Sequence, residues 1–321
     1  MQNPWKAPDQ SYLPDFIIIG GMKCGTTTLH HILNSHPKIY IPQSEIHFFD
    51  MDDEEEHPEF IFKNGNNIIR PNVEENPQAY WDWYKSYFEK ANDNVKGEDT
   101  TGYFTSEKAL KRISEQDKKI KLILSLRNPL SRTNSHYWHQ VKAGRAKYSL
   151  IKTFKSNPDF LLKRSNYKKY IELLFKYFPK EQVHIVIFEE FLKEKERILK
   201  EILNFLELSF EDLPKEAIEL HSNKAVMPRS VQLQLLKNRL APVAGQWLYR
   251  KHFHPIKDKT PKKQLFDRLI HNTNTLINPL KESKTPKLDQ ESEAFLKNHF
   301  QKEFQGINDL IGKDLIGLWN I

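Results

Sequence analysis

Apolar residues fall along this chain in two rhythms. Short, nearly all apolar runs rich in β-branched residues recur at Phe16-Ile17-Ile18-Ile19, Ile120–Leu126 and Val183–Phe188. Runs of this length with no polar alternation predict strands buried on both faces. Lys38–Ile41 and Val95–Glu98 predict two weaker strands. Between these runs the apolar positions recur at three- and four-residue spacing. That rhythm predicts helices over Thr27–Asn34, Ser131–Ala143, Tyr167–Phe178 (stopped by Pro179) and Phe191–Leu206, with a long C-terminal one over Glu291–Leu318.

Strands alternating with helices predict an α/β fold with a central, mainly parallel sheet flanked by helices in three layers. Ligands of such sheets bind beyond the carboxyl ends of the strands. That rule gathers Gly20–Thr28, Ser44–Asp50, Asp99–Tyr103 and Arg127–Ser135, because each follows a candidate strand. No internal repeat or low-complexity linker divides the chain, so one domain over residues 1–321 is expected. Residues 51–94 read as an insertion. Tyr80, Trp81, Trp83, Tyr84, Tyr87 and Phe88 crowd a short helix there, either packed over the sheet edge or lining a cleft. Residues 231–287 read as a second insertion.

Composition adds limits more than direction. The 321 residues are 38% hydrophobic and 12% aromatic, enough for a packed core rather than a disordered chain. The net charge of +7 suits an anionic ligand, yet the 49 basic residues are interspersed with 42 acidic ones. No Lys/Arg block speaks for nucleic acid. A single cysteine, Cys24, excludes an internal disulfide and a multi-cysteine zinc site. No apolar run approaches the about 20 residues of a membrane span, and the polar, Pro-rich start lacks a leader's pattern. The expectation is a cytoplasmic enzyme without stable membrane insertion and without a metal.

The strongest local signal is Gly20-Gly21-Met22-Lys23-Cys24-Gly25-Thr26-Thr27-Thr28, set between a strand and a helix. Glycines let the backbone approach a phosphate, and the helix start offers free N–H groups to an anion. Gly20 and Gly25 keep the frame of the nucleoside-triphosphate loop, but Thr26 stands where that loop has lysine, and the lysine lies earlier, at Lys23. A lysine at the front of the loop suits a shorter anion with no magnesium-bridged tail, such as a 5′-phosphosulfate. A P-loop kinase of small molecules and a non-enzymatic basic anion-binding module are the rival readings. The first lacks its lysine. The second does not account for the ordered set of Lys23, Glu45, Arg127 and Ser135.

The segment Phe16–Thr27 resembles the 5′-phosphosulfate loop of the sulfotransferase family, in the branch containing heparan sulfate sulfotransferases and bacterial relatives. The resemblance implies 3′-phosphoadenosine 5′-phosphosulfate as co-substrate, held by Lys23, Cys24, Gly25, Thr26, Thr27 and Thr28. Lys23 would stabilise charge on the leaving oxygen. Leu122–Pro129, followed by Ser135, resembles the 3′-phosphate motif and implies that Arg127 and Ser135 hold that phosphate. Met227-Pro228-Arg229-Ser230 is similar to a segment near the nucleotide in bacterial members, which brings in Arg229. Ser44-Glu45-Ile46-His47-Phe48-Phe49 resembles the segment carrying the general base. Either Glu45 or His47 takes that role, and an extended backbone would put both on one face. Phe48 and Phe49 read as core. Ser44 and Asp99 stand where glycan-modifying members often carry lysine. The acceptor expected is a small molecule or saccharide presenting a hydroxyl, or an amine.

Overall fold

The computed structural model describes residues 3–64, 67–220, 225–241 and 265–321. The described parts of Met1–Arg127 and Glu172–Asn223 form one compact unit. Those of Asn128–Ile171, Lys224–Leu248 and Pro261–Ile321 form a second.

The first unit is built on a parallel sheet of five strands. They are β1 (Phe16–Gly20), β2 (Ile39–Tyr40), β5 (Val95–Asp99), β6 (Lys121–Leu126) and β7 (Val183–Ile187), in the order β2-β5-β1-β6-β7. A separate antiparallel hairpin, β3 (Phe62–Asn64) and β4 (Asn67–Ile69), lies in the 51–94 segment. Central β1 pairs Ile17 with Glu98 on one side and with Leu122 on the other. All of β1 is buried, which explains why its sequence does not alternate. Phe16 and Ile18 pack with Ile123, with Leu29, Ile32 and Leu33 of α1 (Thr26–Leu33), and with Ile198, Leu199, Ile202 and Leu203 of the Lys195–Phe205 helix. Each such side chain, fully buried, contributes about 1.5–3 kcal/mol.

Helix α2 (Pro77–Ser86) starts at Asn76, whose side chain accepts from the Ala79 amide. Of its aromatic residues, Trp81 and Tyr84 are core, with ring centres 4.5 and 4.4 Å from Phe48. Phe48 and Phe49 are fully buried as expected. Helix α3 (Glu107–Ser114) follows the end of β5 and buries Ala109, Leu110 and Ile113.

Two expected helices are broken. Phe191–Leu206 divides into Phe188–Lys193 and Lys195–Phe205 at Glu194, which leaves helical geometry (φ −129°, ψ 48°). The Glu194 carboxylate instead accepts from Arg197 Nε at 2.6 Å, anchoring the second helix. The C-terminal stretch becomes Gln290–Glu303, Ile307–Ile311 and Leu315–Trp319. Gly306 and Gly312 separate them at φ 81° and 76°, a conformation glycine adopts without a Cβ penalty.

In the second unit, helix α4 (Pro129–Lys142) carries a fully buried Arg132 that donates to Ser165 Oγ and to the Leu161 carbonyl. The rings of Tyr167, Phe304 and Trp319 close its core. A pair of short antiparallel strands, β8 (Val226–Pro228) and β9 (Leu280–Glu282), was not foreseen in a region read as helix and loop. Of the second expected insertion, 242–264 lie outside the described residues, as do 221–224.

Candidate active site

All five strands of the sheet are parallel, so their carboxyl ends share one edge, and the candidate groups of the first unit gather there. The loop after β1 is held from below. The Gly21 amide donates to the Ser125 carbonyl at 2.6 Å, and Ser125 Oγ donates to the Cys24 carbonyl at 2.7 Å. Lys23 takes φ 68° and Gly25 φ 86°, which turns the chain sharply into α1. A Cβ at Gly25 would lie 2.3 Å from the Phe188 ring, so glycine is required there for both space and dihedral. Gly25 caps α1 and has no side chain to accept from the first-turn amides. Lys23 and Thr28 are half-buried, Thr27 is exposed, and Cys24 and Thr26 are buried. This arrangement matches the chemistry of an anion cradle: a lysine, hydroxyls and a positive helix end.

Arg127 follows β6 directly. Its guanidinium donates to the Lys23 carbonyl at 3.2 Å and lies 5.0 Å from the centre of the Phe188 ring. It is half-buried against the loop. Ser135 is half-buried on α4 and Arg229 is exposed after β8, both in the second unit.

The acid–base cluster is built by the turn after β2 and by the end of β5. Thr101 donates its hydroxyl to Glu45 Oε1 at 2.6 Å and its amide at 3.3 Å. His47 does not continue an extended strand, as the two-residue spacing had suggested. Its φ is 56°, and the turn brings its ring back toward Glu45, with Nε2 3.3 Å from Oε2. The other ring nitrogen stands 3.4 Å from Asp50 Oδ1, and Asp50 Oδ2 accepts from His57 Nε2 at 2.8 Å.

Burial would raise the Glu45 carboxyl, but His47 and the Thr101 donors outweigh it and hold it at about 2. The Glu45 side chain keeps 38% exposure, so water screens part of this effect. Burial alone would lower His47. The flanking Asp50 and Glu45 carboxylates instead hold it well above the usual imidazole value. Asp50 is fully buried and held below the usual carboxylate range despite that burial, by His57 and His47. The result is a carboxylate open to solvent on one side and backed by an imidazolium.

Asp99 lies close by at the end of β5. It is 8% exposed, and His30 Nδ1 of α1 stands 3.3 Å from its Oδ2. Burial raises its carboxyl, and the Glu45 charge adds to that rise. The neighbouring Glu98 faces inward and is fully buried, accepting from Tyr84, Thr100 and Tyr103. Burial pushes it up to about 7. Tyr103 in turn accepts the Phe48 and Phe49 amides, which fixes the segment that carries Glu45 and His47. Sequence reasoning did not find Asp50, His57, Thr101 and His30 as members of this cluster.

A loop of this kind at the end of the first strand and a paired Glu–His after the second define a class of transferase folds, and the chain's relatives fix which. The family described as "Sulfotransferase domain" matches residues 13–241, and the chain belongs to that family. It is 29% identical over 208 residues to heparan sulfate glucosamine 3-O-sulfotransferase 5 of Mus musculus, covering 61% of this chain and 54% of that protein. It is 28% identical over 228 residues to bifunctional heparan sulfate N-deacetylase/N-sulfotransferase 3 of Homo sapiens, covering 66% and 24%. The chain thus spans about half, or less, of the length of these curated relatives. The crystal structure of a sulfotransferase from Alicyclobacillus acidocaldarius shares the fold, with a TM-score of 0.52 and 23% identity over 80% of this chain and 99% of that one. Among the described residues no helix is long and apolar enough to cross a membrane.

Proposed function

We propose that this chain transfers the sulfuryl group of 3′-phosphoadenosine 5′-phosphosulfate to a hydroxyl of a neutral or cationic small molecule or saccharide. The observation that carries the reading is the Glu45–His47 pair, two residues of the family's motif joined by a turn at the sheet edge that holds the donor-type loop. Membership of the family supports the donor. Lys23, Cys24, Gly25 and Thr26–Thr28 take the 5′-phosphosulfate. Arg127 takes the 3′-phosphate, with Ser135 and Arg229 as the further contacts the motifs imply.

Positioning and charge stabilisation dominate such transfers. The acceptor oxygen forms a bond to sulfur while the bond from sulfur to the bridging phosphate oxygen breaks. The electron pair stays on the departing 5′-phosphate, where Lys23 and the loop amides stabilise it. The acceptor proton goes to Glu45. A carboxylate held at about 2 is a weak base, so it receives that proton late, once bond formation to sulfur has made the oxygen strongly acidic. His47 is already flanked by Glu45 and Asp50 and serves the carboxylate rather than the acceptor.

The acceptor class rests on charge. Asp99, buried beside His30 and felt by Glu45, stands where glycan-modifying relatives often have lysine. An anionic chain meets the part-exposed Glu45 carboxylate with no lysine at position 99 to offset it, while an amino alcohol or a neutral sugar does not depend on that lysine. The test is transfer from labelled donor to a panel of heparan-type glycans, neutral oligosaccharides and amino alcohols. Transfer is expected to the last two groups. Transfer to the anionic glycan alone, or to none of the panel, refutes the acceptor class, and failure to bind adenosine 3′,5′-bisphosphate refutes the donor reading.

A further inference from the structure

We propose that His57 is a positioning residue: acting through Asp50, it fixes the His47 ring in the orientation that serves Glu45. The inference rests on Glu45 being the base. Five groups alternate in sign through the buried Asp50, from Glu45 at one partly exposed end to Glu59 at the other: Glu45, His47, Asp50, His57 and Glu59. The two oxygens of Asp50 are divided between two rings, Oδ1 facing His47 at 3.4 Å and Oδ2 accepting from His57 at 2.8 Å. Asp50 is fully buried, and a buried carboxylate with an unmet oxygen is costly, so it turns toward whatever donors it has. Without the His57 donor, Asp50 is free to rotate both oxygens toward His47, and the ring loses its fixed angle to Glu45.

His57 is itself held. It is 3% exposed, and its ring stacks on Phe60 at 4.4 Å and 10°. The remaining nitrogen, Nδ1, stands 3.7 Å from Glu59. The backbone leaves room for the arrangement only at Gly102. A Cβ there would come within 2.6 Å of Asp50 Oδ2, 3.4 Å of His57 Nε2 and 3.5 Å of His47 Cε1. Glu98, the other carboxyl felt by Asp50, is already occupied by Tyr84, Thr100 and Tyr103. Donor atoms of His47, Asp50 and His57 also lie within 4.8 Å of one another, a spacing a cation could use. The 2.8 Å separation of Asp50 Oδ2 from His57 Nε2 is that of a hydrogen bond, which favours a proton over a metal between those two groups.

Two substitutions separate the hydrogen bond from the packing. His57→Phe keeps a ring on Phe60 and removes the donor, whereas His57→Gln keeps an amide donor near Nε2. Should the phenylalanine variant not fold, His57→Met takes its place. With labelled donor and the panel acceptor that the unmodified enzyme uses, His57→Phe should lower kcat roughly tenfold with the donor KM unchanged. His57→Gln should recover most of that loss. In a Glu45→Gln background, His57→Phe should cost nothing further, because the group it positions is gone. Ring-labelled histidine NMR should show the same His47 ring resonances in wild type and in His57→Gln, and shifted ones in His57→Phe. Equal losses in the two His57 variants at matched Tm, a full extra loss in the Glu45→Gln background, or an unchanged His47 signal would each overturn the proposal. Stoichiometric zinc binding abolished by His57→Phe would reassign the cluster to a cation. Full turnover in Glu45→Gln alone would instead remove the base reading, and the positioning role with it.

Discussion

Glu45 is the residue on which chemistry and stability pull together. General-base catalysis contributes about 10²–10⁴-fold, so Glu45→Gln should lower kcat by that factor while adenosine 3′,5′-bisphosphate binds as before. A bisphosphate titration beside the turnover assay checks both halves, and a matching loss of binding would mean that the variant disturbs the loop. The same pair has a signature in pH. The Glu45 carboxyl lies below its ordinary 4.5, so its contribution to stability is present above that value and lost as pH falls through about 2. His47 is raised, so its contribution is present below 6.5 and lost as pH rises through its folded value. Glu45 and His47 were legible in the sequence because a short motif contains both. Asp50 lay in the same segment, Ser44–Asp50, without a role that the motif assigned to it. Thr101 lay in Asp99–Tyr103, which the strand-end rule gathered, but no role was read for it, and His57 and His30 were not legible at all. They join the cluster only because His47 takes a positive φ and because β5 ends beside β1, and neither fact is written in local spacing.

At the scale of elements, the loop between β1 and α1 owes its shape to contacts from three other segments. Gly25→Ala places a methyl 2.3 Å from Phe188 and asks alanine to hold φ 86°. We expect a loss of about 1–3 kcal/mol, read as a fall in Tm, together with weaker bisphosphate binding. An unchanged Tm and affinity would show that Phe188 yields and that the turn is not glycine-dependent. The strands flanking this loop were readable because β1 and β6 are solid apolar runs buried on both faces. What the rhythm of apolar residues hid were the interruptions. The apolar spacing from Ile198 to Leu206 extended by one turn onto Phe191, and the break falls at Glu194, with no glycine or proline to mark it. Gly306 and Gly312 were visible signals, outweighed by the apolar residues around them. The three-residue strands β8 and β9 are too short to show a period of two.

At the scale of the molecule, ligand binding should register as global stability. Bisphosphate at ~100 times its Kd should stabilise the fold by about 2.7 kcal/mol with no metal added. Thermal unfolding checks this, with ATP and magnesium as the contrast and Arg127→Ala as the control that shrinks the shift. Stabilisation by ATP–magnesium alone would favour a kinase. A second global effect comes from Glu98. Its carboxyl is raised from 4.5 to about 7, so its contribution favours folding below 4.5 and is lost as pH rises through 7. Glu98→Gln should therefore flatten that part of the stability–pH curve, measured by denaturant unfolding at pH 5 and pH 7.5. A slope identical to wild type would mean that Glu98 stays charged in its ring of hydroxyl donors.

The central position of β1 also orders events during synthesis. The loop that follows it is held by Ser125, whose hydroxyl reaches Cys24 across 101 positions of sequence. Its other neighbour, β5, comes little earlier. At about 5–20 residues per second, a ribosome needs roughly 5–20 s to supply that support after the loop itself has been made. Until β5 is made, Phe16–Ile19 is an unpaired apolar segment with both edges open, and its β6 edge stays open longer. The nascent chain thus carries an adhesive stretch just before this loop, and the loop gains its support only when translation has passed Ser125.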